Sequence, residues 1–175
     1  ARLRALFNNS PDMITVHDGN GNIVDPNARL CEATGYDAET VSGMKVWELD
    51  QAITLEEAKA LWEGMEAGDR HRLEGVYQRQ DGSTFPVEVH LRCLSLDGES
   101  RFVAIARDIT DRKQREQDLR TEQQLIESLF NALPDPVYAF DTDGSPIRWN
   151  ECLEAVTGYT SAEIQELHVT DFVPE

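Results

Sequence analysis

The hydrophobic and polar positions of this 175-residue chain change period several times, and each change predicts a new element. Two short β-branched stretches, Met13 to Asp18 and Asn22 to Val24, lie on either side of the turn Gly19-Asn20-Gly21 and predict a pair of strands. Thr84 to Leu94 alternates cleanly between apolar and polar residues, which is typical of a strand with one buried face.

Short helical segments are predicted between the second and third strands. Asn27 is a suitable N-cap for the first of them, and Thr54, with Glu57 three residues later, has the capping-box pattern that begins the last. The predicted segments are 28–33, 37–41, 43–49 and 55–67.

Three strands follow, and two tight turns, Asp81-Gly82 and Asp97-Gly98, connect them. The last strand is apolar on both faces, so it should be central in the sheet or covered on its outer side. The order of elements predicts an α+β fold, with a five-stranded antiparallel sheet and helices on one face. The three predicted strands are 72–79, 84–94 and 101–108.

From Thr110 to Leu133 the chain has no glycine or proline, which predicts a connector helix of about 20 residues or more. Five of eight positions at 3–4 spacing are apolar, and a parallel coiled-coil dimer is favoured over a solvated single helix. The seam positions are Ile109, Arg112, Glu116, Leu119, Gln123, Ile126, Phe130 and Leu133.

The chain also repeats itself. Leu6 to Tyr36 aligns without a gap on Leu129 to Tyr159, and 12 of the 31 positions are identical. One small domain is therefore used twice. The predicted organisation is the end of a preceding helix at 1–10, a full copy at 11–109, the connector at 110–133 and the first half of a second copy at 134–175. Half a sheet buries little core, so the second copy should be a poor folding unit by itself.

Composition narrows the range of partners. The net charge is −17, from 33 acidic and 16 basic residues, and only three residues are lysines. This favours a protein made for very high salt over an ordinary acidic cytosolic domain. A nucleic-acid-binding surface and a membrane segment are not expected. Three widely spaced cysteines, Cys31, Cys93 and Cys152, predict buried thiols in a reducing, cytoplasmic compartment.

Three stretches in this order resemble the PAS family of sensor domains. They are PDMITVHDGNGNIVDPNARLCEATGY, then QRQDGSTFPVEV, then VAIARDITDRKQ, and the first of them recurs in the second copy. The resemblance implies a sensor that passes its signal through helices to a kinase, cyclase or chemotaxis transducer. It places signal coupling at Asp108, Ile109 and Thr110, and it implies a prokaryotic parent, such as a haloarchaeal histidine kinase or transducer.

The resemblance also bears on cofactors. Val46 stands where flavin photosensors of the family carry their reactive cysteine, and the segment 54–67 lacks the histidine that haem members use. Neither cofactor is therefore expected, but an unknown small molecule remains possible. The candidate pocket residues are Ile14, Val16, Leu30, Trp47, Leu61, Trp62, Met65, Phe85 and Val87.

Two functional readings stay open. One is a ligand-binding sensor that relays its state through the connector helix, as a homodimer formed by that helix and the sheet face. The other is a ligand-free dimerisation or docking module. An enzyme is not expected, because the chain shows no nucleophile–base set, phosphate loop or metal-ligand spacing.

Overall fold

The computed structural model describes residues 2–96 and 98–171. The chain divides into two compact units, Ala1–Gln114 and Arg115–Glu175. The boundary between them falls inside the predicted connector helix, so each unit contains one copy of the repeat.

The first unit is an antiparallel sheet with strand order β2-β1-β5-β4-β3, which confirms the predicted α+β fold. Its strands pair with neighbours in antiparallel register throughout, for example Thr15 opposite Ala104 and Val89 opposite Ala106. The elements are α1 (Arg2–Asn8), β1 (Met13–Asp18), β2 (Ile23–Pro26), α2 (Ala28–Thr34), α3 (Ala38–Ser42), α4 (Val46–Leu49), α5 (Leu55–Glu63), β3 (Arg70–Gln78), β4 (Thr84–Leu96) and β5 (Glu99–Asp108).

The end of α5 and the turn before β5 are compared with their predicted positions. The helix predicted to reach Ala67 ends at Glu63, because Gly64 follows as its C-cap and donates its amide to the carbonyl of Trp62. Glycine is a poor helix former, and a second glycine at position 68 adds to the break. Of the predicted turn Asp97-Gly98, Asp97 lies outside the described residues, and Gly98 has a φ of 82°.

The core of the first unit lies on one face of the sheet, beneath the helices. On β4 the alternation is as predicted, because every second residue from Phe85 to Cys93 is buried. The core side chains include Met13, Ile23, Leu30, Val41, Leu49, Ala58, Trp62, Met65, Tyr77, Phe85, Val87, Val89, Leu91, Cys93, Phe102, Ala104 and Ala106.

The connector forms a single helix, α6 (Thr110–Asn131), which begins in the first unit and ends in the second. None of its residues is buried in the described part of the chain. Its exposed apolar positions include Leu119 and Ile126, seven residues apart, and Leu133 lies seven further on. No described helix is long and apolar enough to cross a membrane.

The second unit contains only the first part of the fold. Its described residues form β6 (Tyr138–Phe140), β7 (Pro146–Trp149), α7 (Glu151–Thr157), α8 (Ser161–Glu166) and a 3-10 turn (Val169–Asp171). Leu153 and Ile164 are its buried apolar side chains in the described segment, whereas Tyr138, Ile147, Val156 and Tyr159 are exposed.

One buried asparagine organises the start of each copy. Asn27 is fully buried, and its Oδ1 accepts hydrogen bonds from the amides of Ile14 and Leu30, at 2.9 and 3.0 Å. Its Nδ2 donates to the carbonyls of Phe7 and Asp12, at 3.0 and 3.1 Å. The side chain therefore joins the end of α1, the loop before β1, β1 itself and the first turn of α2. We call this arrangement the asparagine seat.

The second copy has the same seat, with every partner shifted by 123 positions. Asn150 accepts from the amides of Val137 and Leu153 and donates to the carbonyls of Phe130 and Asp135. The repeat seen in the sequence is therefore a repeat of hydrogen bonds as well as of elements.

Candidate functional site

A chamber of about 30 Å³ lies inside the first unit, between the sheet and helices α4 and α5. A cavity must offer about 10–15 Å³ to hold one water molecule, so this chamber has room for about two. Its walls are mostly apolar, with four polar side chains among them. The lining residues are Thr15, His17, Ile23, Val46, Leu49, Asp50, Ile53, Leu61, Trp62, Leu73, Tyr77, Val89, Leu91 and Ala104.

His17 is one of the four polar residues of the chamber wall and is 1% exposed. Its ring stacks on Phe102 at 5.2 Å between centroids and tilts against Trp62 at 4.7 Å. Burial lowers the pKa of His17 to about 4, although the hydrogen bond to the Asp18 carbonyl and the charge of Asp18 both act to raise it. The ring is therefore neutral near pH 7. Nδ1 lies 3.1 Å from that carbonyl and must donate to it, which leaves Nε2 as a hydrogen-bond acceptor.

Asp50 contributes a buried carboxyl group to the chamber wall. Its Oδ1 accepts from the amides of Ala52 and Val76, at 3.0 and 2.9 Å, which joins the end of α4 to β3. Burial raises the pKa of Asp50 in spite of these two hydrogen bonds. Burial, and next the charge of Asp50, also raise the pKa of Tyr77. The chamber therefore combines an uncharged ring acceptor, a carboxyl group and hydroxyls within apolar walls.

Of the nine pocket residues predicted from the sequence, the structure places Leu61 and Trp62 on the chamber wall. Trp47 is half-buried and packs against the core. Four others are buried in the same core without lining the chamber, namely Leu30, Met65, Phe85 and Val87.

The assignment of Ile14 and Val16 to the pocket was wrong. They lie opposite Ile105 and Val103 of β5, on the outer face of the sheet, and are only half-buried. Residues directly opposite each other in an antiparallel pair share a face. Thr15, opposite Ala104, therefore faces the chamber, as does His17.

Sequence reasoning missed Thr15, His17 and Asp50. The sequence of β1 does not decide which face points to the core, because both faces carry apolar residues. The more hydrophobic face, with Ile14 and Val16, was assigned to the pocket. The register between β1 and β5 determines which face of β1 lines the chamber, and the sequence alone did not provide that register. Asp50 gave no signal of its own, since its burial depends on the close approach of Gly75.

The junction between β5 and α6 contains the three residues predicted to couple the sheet to the helix. Ile109 is 5% exposed, and its amide donates to the carbonyl of Pro86 on β4. Asp108 Oδ1 accepts from the amide and the hydroxyl of Thr110, at 2.8 and 2.6 Å, and so caps the first turn of α6. The strand therefore enters the helix across a single buried residue.

A second set of contacts fixes the first turn of α6 to the sheet, and we call it the ionic clamp. Arg112 contacts Glu74 at 2.9 Å and Glu88 at 3.2 Å, and Lys113 also contacts Glu74. Glu88 is also hydrogen-bonded to Arg72 and His90. The contact with Arg72 is the largest cause, and that with His90 the next, by which the pKa of Glu88 is lowered to about 2; the contact with Arg112 adds to them. The side chains of Arg112, Lys113 and Glu74 are 38–52% exposed, and ion pairs of that exposure contribute little stability individually. Their contacts therefore orient the helix more than they stabilise the fold.

In residues 2–96 and 98–171, no group of three or more His, Cys, Asp or Glu side chains is arranged to hold a metal ion. The three cysteines are free thiols, and Cys93 is buried while Cys31 and Cys152 are half-buried.

Comparison with known proteins identifies the class. A PAS domain family model matches residues 11–111, and a second PAS domain model matches residues 124–175. The chain therefore belongs to the PAS domain family, a family of sensor domains. The PAS fold is not catalytic in itself.

The particular relatives are sensors and signalling proteins. The crystal structure of a PAS domain of an HTR-like protein from Haloarcula marismortui is 48% identical, with a TM-score of 0.60, and the match covers 62% of this chain and 95% of that one. A methyl sulfide methyltransferase-associated sensor of Methanosarcina acetivorans is 25% identical over 73% of this chain and 13% of its own length. Sporulation kinase E of Bacillus subtilis is 23% identical over 98% of this chain and 23% of its own length. The chain thus spans about a quarter or less of these curated relatives.

Proposed function

We propose that the first PAS domain, residues 11–109, senses a small ligand in the His17 chamber and transmits its state through the connector at 110–133. The observation that carries this proposal is the path of β5. Ala104 of this strand lines the chamber, and the same strand ends at Asp108 and enters α6 directly.

The mechanism is a shift between two packings of one domain. A ligand larger than about two waters must widen the chamber, which displaces β5 relative to its neighbours. Ile109 and the ionic clamp convert that displacement into a change of the first turn of α6, since both contact β4. A cytoplasmic sensor histidine kinase or transducer is the proposed parent, with the effector that receives the signal elsewhere in that protein.

Ligand binding is tested by filling the chamber. A panel of small aromatic compounds carrying hydroxyl or amide groups is screened by thermal shift. A compound at 100 times its Kd stabilises the domain by about 2.7 kcal/mol. Ala104→Val adds two methyl groups beside the chamber and should abolish the shift. Val103→Ile, on the outer face of the same strand, should retain it. A hit that binds both variants equally well lies elsewhere and contradicts the chamber assignment.

The relay is tested at the ionic clamp. Arg112→Gln should speed amide exchange in residues 110–114 and leave β4 unchanged, because the clamp orients the helix without supporting the core. Arg101→Gln breaks the exposed pair with Glu99 on the same sheet, away from α6, and is the matched control. If amide exchange at 110–114 is unchanged in Arg112→Gln, the ionic clamp does not orient the first turn of α6 and has no part in the relay.

Acid should loosen the same clamp. The folded-state pKa of Glu88 lies below its ordinary value of 4.5, so the contribution of Glu88 is complete above about pH 4.5 and is lost as the pH falls towards 2. NMR titration of the Glu88 carboxyl should therefore give a pKa near 2 in the wild type and a higher value in Arg72→Gln.

A ligand-free docking module is the second candidate, and the small chamber favours it. The outer face of the sheet carries the half-buried side chains of Ile14, Val16, Val103 and Ile105. A null result across the ligand panel, combined with self-association that Val103→Glu abolishes, would support docking over sensing.

We further propose that the chain works at high salt and forms a homodimer through the connector at 110–133. The charge of −17 and the 48% identity to a haloarchaeal domain support the first point, and the exposed positions Leu119, Ile126 and Leu133 support the second. Sedimentation in 0.1 and 2 M KCl should show more dimer at high salt, because screening removes repulsion between acidic chains. Leu119→Ser with Ile126→Ser should give a monomer in both, and a dimer in that variant would exclude the helix seam.

A further inference from the structure

The two asparagine seats are alike, but an ion pair beside each of them is reversed. In the first copy Arg4 of α1 contacts Asp25 of β2, at 2.7 Å. In the second copy Glu127 of α6 contacts Arg148 of β7. Both pairs join the same two positions, because 4 and 127, like 25 and 148, differ by the repeat offset of 123. The helix is basic and the strand acidic in one copy, and the reverse holds in the other.

Two further contacts are the same at both junctions. Phe7 and Phe130 occupy equivalent positions, each with its carbonyl bound by the asparagine seat. Asn8 and Asn131 each accept, at 3.2 Å, the amide of the first residue of the following helix. The ion pair, in contrast, has opposite polarity at the two junctions.

We propose that this reversed ion pair is a pairing code that matches each helix end to its own PAS copy. The end of α1 carries Arg4 and fits the copy with Asp25, whereas the end of α6 carries Glu127 and fits the copy with Arg148. An exchange of these segments between two chains would place Arg4 against Arg148 and Glu127 against Asp25. Each wrong pairing then loses an attraction and gains a repulsion, and at low ionic strength this difference gives specificity. The proposal does not depend on any ligand in the His17 chamber.

The pairing code depends on the difference in interaction energy between matched pairs of opposite charge and mismatched pairs of like charge. An exposed ion pair alone is weak, and these side chains are 33–63% exposed. Replacement of one charge by its opposite reproduces the wrong combination at an intact seat. Reversal must therefore weaken the junction more than neutralisation does, and reversal of both partners must restore it.

The test uses the full 175-residue chain at low salt, with amide hydrogen exchange as the readout. At the second junction the informative amides are those of Val137, Glu151 and Leu153, which the two asparagines bind. Glu127→Ala should lower their protection by up to about fivefold. Glu127→Arg should lower it by about tenfold or more, and Glu127→Arg with Arg148→Glu should return it to near the wild-type value.

The first junction gives the mirror-image experiment. Arg4→Glu should lower the protection of Ile14, Ala28 and Leu30 more than Arg4→Ala does, and Arg4→Glu with Asp25→Arg should restore it. In every variant the amides of the other unit serve as the internal reference for folding. Raising the salt to 1 M should narrow the gap between neutral and reversed variants, because it shortens the screening length to about 3 Å.

Two results would overturn the proposal. One is equal loss of protection in the neutral and the reversed variants, which would make the charges incidental. The other is failure of the double reversal to recover protection, which would mean that the side chains act through something other than each other. A variant that reverses all four charges keeps both codes in inverted form and should be as protected as the wild type at both junctions.

Discussion

Replacement of Asn27 by alanine should lower the stability of the first unit by about 3 kcal/mol, which would be among the largest effects of any single polar substitution in the chain. The side chain is fully buried and makes four hydrogen bonds. Alanine would leave two amides and two carbonyls at the seat without their partner. Each buried polar group that loses its partner costs about 1–3 kcal/mol, and relaxation of the loop recovers part of the sum.

The repeat supplies the control for this experiment. Asn150→Ala removes the same four bonds from the second copy and should leave the first unit unchanged. Urea denaturation followed by amide exchange in β4 measures the first unit, and exchange at Leu153 measures the second. A loss below about 1 kcal/mol in Asn27→Ala would show that the seat is not an important source of stability.

Substitution of Gly75 by alanine should cost about 2 kcal/mol. A Cβ at this position would lie 2.3 Å from Oδ2 and 2.9 Å from Cγ of Asp50. The carboxylate cannot simply move away, because the amides of Ala52 and Val76 hold it. The bonds between α4 and β3 must therefore break or the strand must shift.

Two further variants isolate that contact in the same thermal denaturation assay. Gly19→Ala is a control, since a Cβ there meets nothing within 4 Å and the backbone φ is not positive. Asp50→Ala removes the group that clashes, so Gly75→Ala should be much less damaging in an Asp50→Ala background. Strictly additive losses would show that the strand position requires glycine for some other reason.

The fold was predictable because its signals are local and agree with each other. The β4 alternation, the capping box at Thr54 and the left-handed Gly35 that ends α2 each gave the correct element, and the order of elements then fixed the fold class. The helix that ends at Glu63 is the instructive exception. The apolar spacing continues to Met65, and the backbone cost of Gly64 ends the helix first.

The site was less predictable, because it depends on contacts between distant segments. Leu61 and Trp62 were identified from their spacing on one helix, which is local information. Thr15 and His17 face the chamber only because β1 pairs with β5 in one register, almost 90 residues away in sequence. The position of Asp50 depends on a glycine 25 residues later, and no pattern within either segment indicates the contact.

Because α6 is one uninterrupted helix from Thr110 to Asn131, its length sets the rotation of one end relative to the other about the helix axis. Each residue added between the exit from one sensor and the entrance to the next would advance the far end by about 1.5 Å and rotate it by about 100°. Seven residues restore the original azimuth to within about 20°. An insertion of seven residues would therefore lengthen α6 while keeping its exposed apolar positions close to one face of the helix.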